Sequence, residues 1–208
     1  MRFIKISVIT AFVICVMLGL CAEGMSREND GIRKNALRLH VKANSDTKAD
    51  QQLKLAVRDA ILAQAGEAFS TATTKEQAKL ICEESLEKIE AIAENEMRKR
   101  GYSYSAHAQI SDKFFTTKDY GEFTFPAGVY TALTVELGSG EGQNWWCVLF
   151  PPLCLTDGVF SEEENEKLYD AGFSEKDITV ITEKKTEYEI KFKIVEIWEQ
   201  IKEWLCFN

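Results

Sequence analysis

Leu37-Arg38-Leu39-His40-Val41-Lys42-Ala43-Asn44-Ser45-Asp46 changes its period within ten residues, and that change decides the fold class. Leu37, Leu39, Val41 and Ala43 fall on one side of an extended chain and Arg38, His40 and Lys42 on the other, because side chains alternate along a strand. Residues 36–44 are therefore predicted as a strand with one buried face. Asn44, Ser45 and Asp46 can each cap a helix, since a short side-chain oxygen accepts from the first free backbone N–H groups. From about Lys48 to Ala65, Leu53, Val57, Ala60 and Ile61 recur at helical spacing, with Gly66 as the expected stop.

Downstream the two periods keep exchanging. Ala78, Cys82, Leu86, Ile89, Ala93 and Met97 form one stripe, which predicts a helix over 75–100. Arg98, Lys99 and Arg100 complement its C-terminal dipole, and Gly101 follows it. Tyr102 to Ser111 alternates as a strand. Pro126-Ala127-Gly128 introduces a β-rich run from Val129 to Leu137, which Gly138-Ser139-Gly140-Glu141-Gly142 turns. Trp145 to Phe150 is continuously apolar, as in a strand buried on both sides, and Pro151-Pro152 stops it. Ser161 to Ala171 is an acidic helix candidate. Tyr188, Ile190, Phe192 and Ile194 alternate as a further strand; Ile194, Ile197, Trp198, Ile201 and Leu205 then recur at helical spacing. The class is α+β, with an antiparallel or mixed sheet and helices packed on one face. There is no internal repeat and no low-complexity linker.

Upstream, Arg2 and Lys5 precede the nearly unbroken apolar run Ile6 to Leu20, fifteen residues long. A membrane span needs about twenty residues and a secretory signal core about 7–15. Ala22-Glu23-Gly24 offers a small-x-small cleavage site. Residues 1–24 are expected to be a signal peptide, the alternative being an uncleaved anchor. A lipoprotein site at Cys21 is disfavoured by the bulky Leu20. Residues 25–35 read as a polar leader and 36–208 as a single domain. Removing residues 1–24 takes Arg2, Lys5 and Glu23, leaving 23 basic against 32 acidic residues, a formal charge of −9. Such a domain repels nucleic acid and anionic lipid, so no nucleic-acid partner is expected. Membrane contact is expected only through the N-terminal segment or through a membrane partner.

Four of the six cysteines lie beyond that segment: Cys82, Cys147, Cys154 and Cys206. Outside the cytoplasm such a set permits disulfides. Cys147 and Cys154 bracket the rigid Pro151-Pro152 turn and are expected to be bridged, the alternative being two buried thiols. Cys82 lies on an apolar stripe and reads as a core thiol. With two histidines and no C-x-x-C or H-E-x-x-H, neither a metal site nor a cofactor is expected. A cysteine nucleophile with His40 or His107 as base has the residues but no local motif, and paired-carboxylate hydrolysis has only solvated acidic positions to draw on. Arg38, His40 and Lys42 form a basic stripe on an acidic protein, with a histidine able to titrate near neutrality. Of Trp145 and Trp146, which point to opposite faces, one need be core while the other is free to anchor a partner or a sugar ring.

Three segments together resemble one family. They are 37–46, continuing through Asp50-Gln51 and 53–60; Pro126-Ala127-Gly128-Val129-Tyr130; and 142–154, Gly-Gln-Asn-Trp-Trp-Cys-Val-Leu-Phe-Pro-Pro-Leu-Cys. About residues 36–157 resemble the stage II sporulation protein R family of endospore-forming bacteria, with Lys42 departing from the apolar residue expected there. The resemblance implies export from the forespore into the space between forespore and mother-cell membranes. It implies that the protein there triggers a membrane-embedded aspartic protease, which processes the sigma-E precursor. The protein would then be a signal and not an enzyme. The expected partner-binding patch combines Arg38, His40, Asn44 and Asp46 with Trp145 and Trp146, held by the bridge between Cys147 and Cys154. The competing classes are a cell-envelope hydrolase and a glycan- or peptidoglycan-binding module.

Overall fold

The computed structural model describes residues 29–154, 161–183 and 192–198, together with positions 13, 16, 17, 19, 20, 24 and 201. In chain order its elements are α1 (Asp30–Asn35), β1 (Leu37–Lys42), α2 (Lys48–Ser70), α3 (Lys75–Glu84), α4 (Leu86–Lys99), β2 (Ala106–Phe115), β3 (Lys118–Asp119), β4 (Thr124–Phe125), β5 (Gly128–Leu137), β6 (Asn144–Phe150), α5 (Glu162–Asp170) and α6 (Glu175–Thr182). Four strands form one mixed sheet in the order β2-β5-β1-β6, and β3 pairs with β4 in a small hairpin. β1 runs parallel to β5 and antiparallel to β6. A parallel pair cannot be joined by a tight turn, so α2, α3, α4, β2 and the β3–β4 hairpin fill the crossover.

The alternation in β1 sorts the two faces. Leu37, Leu39 and Val41 meet Leu133 and Val135 of β5 and Leu149 of β6 on the helical face, where Leu53, Val57 and Ile61 of α2 and Ile89, Ala93 and Met97 of α4 cover them. Each of these leucine, isoleucine, valine and methionine side chains, fully buried, contributes about 1.5–3 kcal/mol. The opposite face carries a second cluster. Phe123 and Phe125, Leu168 of α5, and Ile178 and Ile181 of α6 close over Ala132, Tyr130 and Val148.

Several boundaries differ from expectation. Helix α2 passes through Gly66 to Ser70, because Phe69, 2% exposed, carries its apolar face one turn further. Its N-cap is Thr47, whose side chain accepts from Asp50 N. The stripe over 75–100 is divided at Ser85 into α3 and α4, with Thr74 capping the first. Tyr102 and Tyr104 precede β2 instead of starting it; the Tyr104 hydroxyl donates to Asp50 Oδ1 at 2.8 Å. Within the expected leader, Asp30–Asn35 form α1 and bury Ile32 completely, so packing starts before residue 36. Helix α6 was not anticipated, although Ser174 and Asp177 form a capping box at its start. Phe192 and Ile194, expected in a strand, are helical within 192–198. Tyr188, Ile190, Cys206 and most of the signal segment lie outside the described residues. No helix among the described residues is long and apolar enough to cross a membrane.

Candidate functional site

The polar half of β1 is not a solvent-facing stripe. Arg38 is 0% and His40 4% exposed. The reason is topological: β1 is a central strand, and the β3–β4 hairpin, α5, α6 and Trp146 cover the face that period-two alternation assigns to water. Only Lys42 is partly exposed, and its Nζ donates to Glu136 Oε1 at 3.0 Å.

Arg38 sits in an aromatic cage. Its Cζ lies 4.6 Å from the ring centroid of Phe115, 5.2 Å from those of Phe125 and Tyr130, and 6.0 Å from that of Tyr120. Nε donates to Cys147 O at 3.0 Å and Nη2 to the Tyr120 hydroxyl at 2.6 Å. The Tyr120 hydroxyl in turn donates to Trp146 O at 3.1 Å. Among the described residues no carboxylate pairs with this guanidinium, and Nη1 has no partner. Ring faces and carbonyl dipoles therefore replace a counter-ion, an arrangement suited to a weakly hydrated planar cation. Burial raises the Tyr120 and Tyr130 hydroxyls, against the opposing pull of Arg38, so both remain neutral donors.

His40 supports Trp146. The two rings stack at 3.9 Å between centroids and 9° between planes, and the edge of Phe115 meets Trp146 at 4.5 Å. Nε2 of His40 donates to Asn144 Oδ1 at 2.8 Å, which leaves Nδ1 a buried acceptor without a partner among the described residues. Burial, reinforced by the charges of Lys113 and Lys42 and opposed by the Asn144 hydrogen bond, lowers the His40 pKa to about 4. The expectation of titration near neutrality is thus corrected: the ring is neutral under ordinary conditions. Trp146 keeps partial exposure, and Lys118 Nζ stands 5.5 Å from its ring.

Asn44 and Asp46 tie two turns together. Asn44 Oδ1 accepts from Ser139 N (3.0 Å), its Nδ2 donates to Asp50 Oδ2 (3.0 Å), and Asp46 Oδ1 accepts from Gln143 N (2.7 Å). Gly142 N donates to Ala43 O at 2.9 Å, and Lys54 Nζ donates to Gln143 O at 3.0 Å. Burial pushes the Asp50 carboxyl up, but hydrogen bonds from Ser45, Asn44, Tyr104 and Thr47 outweigh it and hold the group below its ordinary value. The β1–α2 turn and the β5–β6 turn form one rigid unit. Gly142 is required there, because a Cβ would collide with the Ser45 carbonyl.

Trp145 points to the other face, where the guanidinium of Arg58 lies 4.1 Å from its ring. Cys147 and Cys154 form the expected disulfide, with their Cα atoms 5.2 Å apart. Beside it lies an apolar hollow of about 400 Å³ lined by Leu62, Phe69, Leu149 and Pro152. Cys82 is a free, buried thiol whose pKa burial pushes up to about 12. His107 is exposed and lies 3.0 Å from Glu90, well away from His40 on the sheet. The structure therefore brings Arg38, His40 and Trp146 into one aromatic layer, places Asn44 and Asp46 at its rim, and sets Trp145 behind it. Sequence reasoning missed Phe115, Tyr120, Lys118 and Asn144. The alternation of Phe123 and Phe125 around a short turn was the available signal for the hairpin that closes the cage.

The family model described as "Stage II sporulation protein R (spore_II_R)" matches residues 33–159. The chain is 36% identical over 201 residues to the stage II sporulation protein R of Bacillus subtilis (strain 168), an alignment covering 91% of this chain and 90% of that protein. No solved structure matches the chain.

Proposed function

The chain belongs to the stage II sporulation protein R family, and from that premise we propose that it is an exported signal that switches on a membrane-embedded aspartic protease, which in turn matures the sigma-E precursor. Residues 1–24 direct export, and the domain acts in the space between forespore and mother-cell membranes. It works by binding, not by catalysis. The observation that carries this reading is the pairing of the family's sporulation identity with a braced, half-exposed aromatic layer. Arg38, His40, Phe115 and Tyr120 fix one tryptophan, Trp146, at the sheet surface beside Asn144 and Lys118. Rigid aromatic groups of this kind anchor interfaces at low entropic cost.

Arg38 and His40 serve as positioning residues for that anchor, while Asn44 and Asp46 fix the rim. The thiol chemistry also favours a binder. Cys147 and Cys154 are bridged, and the Cys82 thiol is buried and protonated, which leaves His40 no free thiolate to work with among the described residues. A ligand shifts a protease between inactive and active states only by binding one of them more tightly. A hundredfold change in activity requires about 2.7 kcal/mol of such preference, within reach of a single anchored patch.

The test is co-expression of the chain, the protease and the sigma precursor. Cleavage is expected only when all three are present, and Trp146→Ala is expected to abolish it while leaving the fold intact by circular dichroism. Cleavage of the precursor, or lysis of purified cell wall, by the domain without the protease would make it an enzyme and overturn the reading.

A further inference from the structure

Among the described residues β2 is an edge strand, and half of its outer edge is open. Gly138 N donates to Ser105 O at 2.9 Å, which sets the phase of the antiparallel ladder between β2 and β5. The odd-numbered residues of β2 turn their backbone groups toward β5; Ala106, Ala108, Ile110, Asp112 and Phe114 turn theirs outward. At the beginning of this edge Glu90 of α4 accepts from Ala108 N at 2.7 Å. Past that point no group among the described residues takes the outward N–H or C=O of Ile110, Asp112 or Phe114. On the opposite edge of the sheet two outward carbonyls of β6 are taken, Val148 O by Leu153 N and Trp146 O by the Tyr120 hydroxyl.

We propose that Ile110–Phe114 receives an extended segment of the partner as a fifth strand, the partner being the membrane protease of the reading above. An unpaired edge is a template for a further strand, and backbone hydrogen bonds then supply affinity while alternate side chains supply specificity. Ile110 and Phe114 are partly exposed on the helical face, next to Val129, which is 51% exposed. Ser111 and Lys113 lie on the other face, and the Ser111 hydroxyl has no partner among the described residues. The segment that fits is about five residues long, apolar where it meets Ile110, Phe114 and Val129, and hydrogen-bonding where it meets the Ser111 hydroxyl, since Lys113 already lies 3.9 Å from Glu136. A second copy of this chain fits poorly. Antiparallel self-pairing centred on the open stretch sets Asp112 against the Asp112 of the other copy, and like charges directly opposite are unfavourable. Moving the centre toward Ala108 drives both strands onto Glu90.

Proline at an outward position removes one outward N–H and no ladder bond, so Ile110→Pro and Asp112→Pro are the informative variants, with Ser111→Pro, which breaks the ladder, as the destabilised control. Both informative variants are expected to stay folded and to lower precursor cleavage at least tenfold in cells making the protease. In the wild-type complex with purified protease, the amides of Ile110, Asp112 and Phe114 are expected to exchange at least tenfold more slowly than in the free protein. If either variant unfolds, the exchange measurement decides. Full cleavage with folded variants, or unchanged exchange at those amides, overturns the edge proposal alone. If wild-type protein triggers no cleavage at all, the protease reading fails and the proposal falls with it.

Discussion

Acid is predicted to loosen this domain through His40. In the unfolded chain the imidazole takes up a proton near pH 6.5, while in the folded protein its pKa is about 4. The folded state thus holds fewer protons across that window. The stability contributed by the neutral ring is complete above pH 6.5 and is lost as the pH falls toward 4. At about 1.4 kcal/mol per pH unit the full loss is about 3 kcal/mol, roughly 2 kcal/mol of it by pH 5. His40→Phe keeps the stack on Trp146 and removes the titration, at a fixed cost from the lost Asn144 hydrogen bond. Urea unfolding followed by tryptophan fluorescence, from about pH 7.5 to about pH 4.5, gives the stability difference between the two proteins at each pH. Asp50, held low by its own hydrogen bonds, is common to both proteins and cancels, whereas Glu136 feels the His40 charge and belongs to the difference being measured. The wild-type advantage should shrink by about 2 kcal/mol on going to pH 5. A difference that stays flat across that range would refute the assignment of His40 as a buried neutral ring.

Reducing the bridge between Cys147 and Cys154 in the native protein, or Cys147→Ala with Cys154→Ala, should cost about 2 kcal/mol by the loop-closure relation, read as a lower urea midpoint; their sequence separation of 7 keeps the effect modest. Gly142→Ala should cost more than about 2 kcal/mol, because the clash is with backbone that the two-turn clamp does not let move, and thermal unfolding will show it. Val13→Asp with Ile14→Asp should trap the protein inside the producing cell, read by fractionation; undiminished export would remove the signal assigned to residues 1–24.

How far the sequence could be read follows from what its periods encode. The two-residue alternation of Leu37 to Lys42 identified a strand correctly, because alternation survives whatever lies on either side. It could not reveal that Arg38 and His40 are buried, since their cover comes from residues 115–181, distant in sequence and neutral with respect to β1's own pattern. The helix over 75–100 read as one because its apolar stripe continues across Ser85. Gly66 read as a stop because propensity is a local quantity, whereas Phe69 gains by burial against the sheet. The disulfide was legible because its partners are close in sequence and held by Pro151-Pro152. Asn44 and Asp46 were singled out as helix-capping candidates and binding residues; the structure has them joining turns whose contact no local pattern announces.

The pairing of Arg38 with Ala132 in the parallel ladder spans 94 residues of chain, and it has a temporal meaning. At a synthesis rate of about 5–20 residues per second, β1 waits about 5 to 20 s on or behind the ribosome before β5 exists, and longer before β6 closes its other side. Throughout that interval nearly the first half of the polypeptide has its helices but no sheet to cover. A chain that must be threaded through a narrow channel profits from such a delay, because the sheet that would fix its helices in place has not yet formed. The order of the strands along the chain thus acts as a timer: β1 cannot gain both of its neighbours until β6 has been made.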